Sequence, residues 1–290
     1  MALITDYASL KQAVSDFTHR ADLASGNFID YFIQGAQEQI NKDVFALNFG
    51  NGIRLMEAAY GPYNIAGGGL QVPADWLSAK LLKVSDGASD TFTLIFKSPA
   101  WIYARYSVRQ ASGLPAYIGR ELQPSTAFTG VISGTTLTVS AITIANLVVG
   151  SVISDGGVNV PFNTIITALG SGTGGNGTYT INSSLSVSSE AMTAGGSAFV
   201  FGPYPDSSYA VQGAYYAKAA LLSGSATTNW MVLSAPLMIH AACMVEAAKF
   251  LLDDAMLGRW STVYQAQLKA LVDQDKAERW AASTMQIETA

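Results

Sequence analysis

No lysine or arginine occurs between positions 121 and 217, although the 290-residue chain carries 16 of them elsewhere. The same stretch holds only four acidic side chains and is otherwise rich in Gly, Ser, Thr and β-branched residues. A composition shift of this length reads as an all-β module set into a host that is helical at both ends. Cysteine is scarce too: Cys243 stands alone, which excludes an intrachain disulfide framework. A net charge of −5 argues against a general nucleic-acid-binding surface, which is usually basic, and does not exclude a surface that DNA slides past without sticking. The longest apolar run, 237–252, contains His240, Glu246 and Lys249, which a membrane span of roughly 20 residues excludes. Residues 1–6 lack a basic n-region and an apolar h-region, so no signal peptide is expected. The expectation is a soluble protein made in a cytoplasm, with no membrane contact.

What is present falls into periodic blocks. Thr5 and Asp6 are positioned to cap a first helix, with Tyr7, Leu10, Val14 and Phe17 at helical spacing. After a turn at 24–27, a second helix carries Phe28, Phe32, Ile33, Ala36 and Ile40 on one face, and the pair predicts an antiparallel hairpin. Residues 44–71 are Gly-rich and weakly patterned and read as loop. Segments 77–84 and 91–96 flank a turn at 85–90 and predict a β-hairpin. Pro99 is placed to open a short helix to Tyr106. Segment 116–122 predicts a strand whose partner is 199–201, and 209–218 alternates as a further strand. Near the C-terminus Asn229 is a cap. Pro236 opens a helix to about Leu252 with Leu237, Ala241, Met244, Ala248 and Leu251 as its stripe. Asp253-Asp254 ends it and caps a last helix carrying Leu257, Trp260, Tyr264, Leu268 and Leu271. The fold class expected is α+β: a bundle of about four helices with a small β unit, residues 1–123 and 197–290, plus an inserted all-β sandwich- or barrel-like domain, 124–196. Gly, Ser and Thr supply 35 of those 73 residues, in short alternating pieces such as Thr136-Leu137-Thr138-Val139 and Thr178-Tyr179-Thr180-Ile181. The insertion point lies at a hairpin tip, where the host chain leaves and returns at nearly one place.

Residues able to carry chemistry are few. Ser171-Gly172-Thr173-Gly174-Gly175-Asn176-Gly177-Thr178 lacks the Gly-Lys-Ser/Thr ending of a P-loop and no helix follows it, so it reads as a turn. His240, Cys243 and Glu246 share a helix face and can each ligate a metal. A site would need ligands from another element, and the favoured reading is a half-buried face with a small apolar Cys. Asp253-Asp254 is the closest carboxylate pair and reads as a cap. No Gly-x-Ser-x-Gly elbow occurs, so neither catalytic residues, a cofactor site nor a metal site is expected. Tyr103, Tyr106, Tyr215, Tyr216, Trp230 and Trp280 are candidate interface anchors, with core filling as the commoner role. Lys269, Lys276 and Arg279 alternate with Asp273, Asp275 and Glu278 as a solvated mixed-charge face.

The order of several short motifs resembles the adaptor (head–tail connector) proteins of tailed bacteriophages. They are Ile4-Thr5-Asp6-Tyr7-Ala8-Ser9-Leu10 with a second helix from Asn27-Phe28-Ile29, and Val72-Pro73-Ala74-Asp75-Trp76-Leu77. Further on come Gly202-Pro203-Tyr204-Pro205-Asp206, Tyr215-Tyr216-Ala217-Lys218, Thr228-Asn229-Trp230 and Ala235-Pro236. The likeness covers most of the 217 residues outside 124–196. Residues 127–182, with Thr129-Gly130-Val131-Ile132-Ser133-Gly134-Thr135-Thr136 and Gly174-Gly175-Asn176-Gly177-Thr178-Tyr179-Thr180, resemble a β module seen in phage virion proteins.

The resemblance implies a non-enzymatic structural virion protein of the neck. It would form a homo-oligomeric ring, usually of twelve copies, beneath the portal protein. The ring would extend the DNA channel without binding DNA specifically and offer a platform to tail, nozzle or fibre proteins. The module is expected on the outside of the ring, since a hairpin tip in a narrow lumen blocks DNA. The alternative is a virion adhesin or fibre-anchoring protein whose insert binds glycan or another tail protein. Sugar-stacking aromatics on the insert would favour it, and only Phe128, Phe162 and Tyr179 are available. The polar tail 281–290 is a candidate for a segment that orders on docking.

Overall fold

A computed structural model describes residues 3–24, 27–48, 50–86, 91–107 and 112–281. The turn at 25–26, the hairpin loop at 87–90 and the tail beyond 281 lie outside the described residues. In chain order the elements are helices α1 (Tyr7–Thr18), α2 (Ala21–Ala24) and α3 (Phe28–Leu47), a 3-10 turn (Arg54–Met56), strands β1 (Glu57–Asn64), β2 (Gly69–Gln71), β3 (Trp76–Ser85), β4 (Thr91–Thr93) and β5 (Ile95–Phe96), and helix α4 (Pro99–Arg105). Strands β6 (Tyr117–Ser140), β7 (Val152–Ser154), β8 (Thr164–Leu169), β9 (Gly177–Gly202) and β10 (Ala210–Ala217) follow, then helices α5 (Trp230–Ser234), α6 (Pro236–Leu251) and α7 (Asp254–Ala281). The fold is mixed α+β. It divides into two compact units, one of Met1–Ala58 with Tyr216–Ala290 and one of Ala59–Tyr215.

The helical unit is built around α6. Its mixture of Ala, Cys, Met and Ile buries nine of 16 residues, His240 among them, on every side rather than along the single expected stripe. A helix that is apolar all round has to lie at the centre of its bundle, and small side chains let α1, α3 and α7 pack closely against it. Leu237, expected in the stripe, is exposed instead. On α3 the stripe Phe32, Ile33, Ala36 and Ile40 is buried as its spacing requires, whereas Phe28 is not.

Helix ends follow their caps. The Asp6 carboxylate accepts from the Ser9 amide while the Ser9 hydroxyl oxygen accepts from the Asp6 amide, a reciprocal capping box. The Ser98 hydroxyl oxygen accepts from Trp101 N–H with Pro99 in the first turn of α4. Asp253 Oδ1 accepts from Met256 N–H at the start of α7. Asn229 Oδ1 accepts from Met231 and Val232 N–H, while its amide donates to the Ala220 carbonyl. That same carbonyl also accepts from Gln37, whose oxygen accepts from Leu222 N–H, so the irregular 218–228 stretch is held to α3 by buried amides. Asn229→Ala removes one cap and one strap together and is expected to cost about 1–2 kcal/mol, read as a lower urea midpoint with unchanged slope.

The β unit holds two sheets. One is four-stranded in the order β1-β10-β3-β4; the other is six-stranded, β5-β6-β9-β7-β8, with β2 also on β9. The expected loop over 44–71 is therefore wrong at both ends: α3 runs to Leu47, and β1 and β2 occupy 57–64 and 69–71. The hairpin of β3 and β4 and the β6–β9 pairing are present, with Ile118 opposite Phe201 and Arg120 opposite Phe199. Segment 124–196 does not close into a barrel. Its outer strands are continuations of β6 and β9, paired from Tyr117↔Gly202 out to Val139↔Gly177. The register breaks between Gln123 and Thr126. There Gly195 has a φ of +104°, and a Cβ on it would meet the Pro124 carbonyl at 2.3 Å. Only glycine tolerates both that backbone and that approach.

Beyond the break lies a separate core of Phe128, Ile132, Leu137, Val139, Ile153, Ile166, Tyr179, Ile181 and Met192 with their neighbours. Nearer β2 an aromatic cluster carries the unit: Tyr60 packs edge-on against Trp76, Phe199 and Tyr215 at 6.0, 5.9 and 6.3 Å, and Trp76 stacks on Tyr215 at 4.8 Å.

Candidate functional site

The chemistry-bearing residues do not converge. His240 and Cys243 are fully buried, not half-buried, and Glu246 is paired with Lys249 at 2.6 Å. Burial pushes the Cys243 thiol up, leaving it an inert core group. Among the described residues no group of three or more His, Cys, Asp or Glu is placed to hold a metal. In the loop 171–178, the amides of Ser171, Gly172 and Gly174 donate to the Thr178 hydroxyl, the Thr178 carbonyl and the Tyr179 hydroxyl. The donors a phosphate would need are already spent. A loop the sequence reading missed is Asp155-Gly156-Gly157. The Asp155 carboxylate gathers the N–H groups of Gly157, Val158, Asn159 and Val160, which hold its pKa at about 2. Asp followed by two glycines was the available signal.

The candidate anchors separate by burial. Tyr215 and Tyr216 are core residues, the former donating to Asp75 at 2.9 Å. Tyr103 is exposed and donates to Glu121 at 2.7 Å. Tyr106 lies against Tyr117, and Trp230 is partly buried. The side chains of Arg279 and Trp280 lie outside the described residues. Asp275, expected on a solvated face, is buried and accepts from Arg54 N–H at 2.8 Å. On 124–196, Phe128 and Tyr179 are core and Phe162 alone of the three rings is exposed.

His240 is the one buried imidazole among the described residues. It sits edge-on to Phe17 and Trp260 at 4.9 and 5.3 Å, bonds to the backbone of Ala13, and leaves Nε2 without a partner. Burial lowers its pKa. An unfolded histidine ionises near about 6.5, so below that pH the unfolded chain binds the proton more tightly than the folded one. Stability is expected to fall as pH drops through the unfolded value and to level off below the folded one. His240→Phe should remove that dependence, read from melting temperatures at about pH 7.5 and 5.

The described residues of the helical unit include two apolar surfaces. Phe28, Tyr31 and Phe250 are exposed at one end, with Leu252 beside them on the left-handed residue that ends α6. A groove between α3 and α7 is lined by Asp43, Ala46, Leu47, Tyr264, Leu268 and Lys269. Exposed apolar surfaces rimmed by polar residues commonly mark sites of interaction. The chain belongs to the SU10 adaptor protein family, whose profile matches residues 5–169 and 135–287. It is a bacteriophage adaptor-type protein, and membership implies a virion component that meets other head or tail proteins. No curated protein matches the chain. Among the described residues no helix is long and apolar enough to cross a membrane.

Proposed function

We propose that the chain forms a ring, of about twelve copies as the likeness in sequence suggests, beneath the portal, where it extends the DNA channel and seats tail, nozzle or fibre proteins. Family membership over nearly the whole chain is the observation that carries this reading. The acidic balance of the chain suits a wall that DNA passes without being held. In this reading 1–123 and 197–290 are the adaptor proper and 124–196 an inserted module. The family match comes in two segments that overlap within 124–196. The kink at Gly195 and the separate core beyond it support that division. The module projects outward and braces a capsid, fibre or neighbouring subunit. The glycan-binding alternative loses ground, because two of the three rings it needs are buried.

Light scattering of the purified chain, alone and with its portal, tests the proposal. A monomer or small assembly that becomes a stoichiometric ring complex with portal is expected. A stable small oligomer indifferent to portal would overturn it.

A further inference from the structure

We propose that copies of this chain associate head to tail, the aromatic end of one helical unit seating in the α3–α7 groove of the next. The inference deepens the ring reading above and rests on it, since a ring requires two different surfaces to meet.

Helices α3 and α6 run antiparallel: Phe28 and Phe32 pack on Phe250 at 5.2 and 5.5 Å, and Gly35 faces Glu246. The start of α3 and the end of α6 therefore share one end of the unit. There Phe28, Tyr31, Phe250 and Leu252 are 43, 67, 49 and 88% exposed. Single exposed apolar residues are ordinary, but three rings and a leucine gathered at one helix-pair end are not. Aromatic side chains are the usual anchors of buried contacts.

The groove lies toward the other end of α3. Sixteen residues separate Tyr31 from Leu47, about 24 Å along a helix axis, so the two surfaces are distinct. A two-fold contact would set like on like; a head-to-tail contact sets a protrusion into a recess. Charge selects the same pairing. Asp253 and Asp254 follow Leu252 at the protruding end. At the groove, Asp43 keeps its charge but its two oxygens are taken up by the Gln39 amide and the Tyr264 hydroxyl, each at 2.7 Å, while the Lys269 ammonium lines the same groove and can meet an acidic end. The acidic residues at one end and the ammonium in the groove are complementary, and a second copy supplies both surfaces, which is why it is the occupant.

Cysteine scarcity makes the test clean, because Cys243 is buried and introduced thiols report alone. Leu252→Cys and Leu47→Cys in one chain, mixed with portal so that the ring can assemble and bridged by a short bis-maleimide, should give a covalent ladder of dimers, trimers and higher species. The two single variants mixed should stop at dimers, and each alone should give none. Absence of a ladder, or dimers from Leu252→Cys alone, would overturn the proposal. So would protection of the thiol in the Leu252→Cys variant by portal without any ladder, which would make portal the occupant. As a second variant, Leu252→Asn suits the left-handed backbone at φ 55°. It should keep the melting temperature yet weaken self-association by about tenfold or more; unchanged association would count against the contact. If a stoichiometric portal complex forms while no ladder appears, this interface fails and the adaptor reading stands. A ladder without portal binding would uphold the interface and overturn the placement beneath the portal.

Discussion

Tyr60→Ala is expected to destabilise the β unit by about 3–5 kcal/mol, the usual cost of emptying a buried aromatic site. Tyr60 is among the largest fully buried side chains, and its ring touches Trp76, Phe199, Tyr215 and Tyr63. These rings come from β1, β3, β9 and β10, members of both sheets, so the cavity would open where the sheets meet. Edge-to-face partners add roughly 0.5–1.5 kcal/mol per pair beyond area burial, and they cannot repack around a methyl group. The hydroxyl matters less. It donates to the Gln71 carbonyl at 2.7 Å, and Tyr60→Phe should cost only about 1 kcal/mol. Urea midpoints of the two variants separate the terms. Equal losses would mean that the hydroxyl, not the ring cluster, holds the sheets together.

The same cluster shows why part of this fold was hidden in the sequence. The long helices, unlike the four-residue α2 (Ala21–Ala24), were legible because caps and period agree: Asp6, Ser98, Asn229 and Asp253 each bond where their position at a helix start implies. Strand β1 was not, because Gly61-Pro62 inside it reads as a turn. A proline is tolerated there since β1 is an edge strand, where a missing N–H breaks no ladder on its open side. Gly61 is needed for a reason no single sequence displays: its φ is +77°, and a Cβ would meet the Val211 carbonyl at 2.3 Å. The burial of Asp275 was equally illegible, for its partner is the Arg54 amide 221 residues away in the chain. The surfaces of the candidate site were the least legible part. Phe28 keeps helical spacing with Phe32 and reads as core, and only the placement of Phe250 shows that its stripe ends in water.

Tyr179→Ala is expected to unfold the 124–196 region while the helical unit remains folded. Tyr179 is 1% exposed in the core that lies beyond the Gly195 kink. Its hydroxyl donates to the Gly175 carbonyl at 2.5 Å and accepts from Gly174 N–H at 3.1 Å, and a Cβ on Gly172 would come within 2.4 Å of its ring atoms. The loop before β9 is thus moulded onto this one side chain. Removing it costs about 3–5 kcal/mol for the ring and roughly 1 kcal/mol for each hydrogen bond. A region of this size has little stability to spare, since small domains bury a lower fraction of their surface. Trypsin is blind to the outcome, because 121–217 offers it no lysine or arginine to cut even when unfolded. Chymotrypsin should nick the variant after Phe128, Phe162 or Leu169, while amide exchange in α6 stays as slow as in the parent chain. If the module only decorates the ring, the variant still forms its complex with portal at unchanged stoichiometry. Loss of α6 protection alongside would show the chain to be one cooperative body, and the inserted-module reading would go with it.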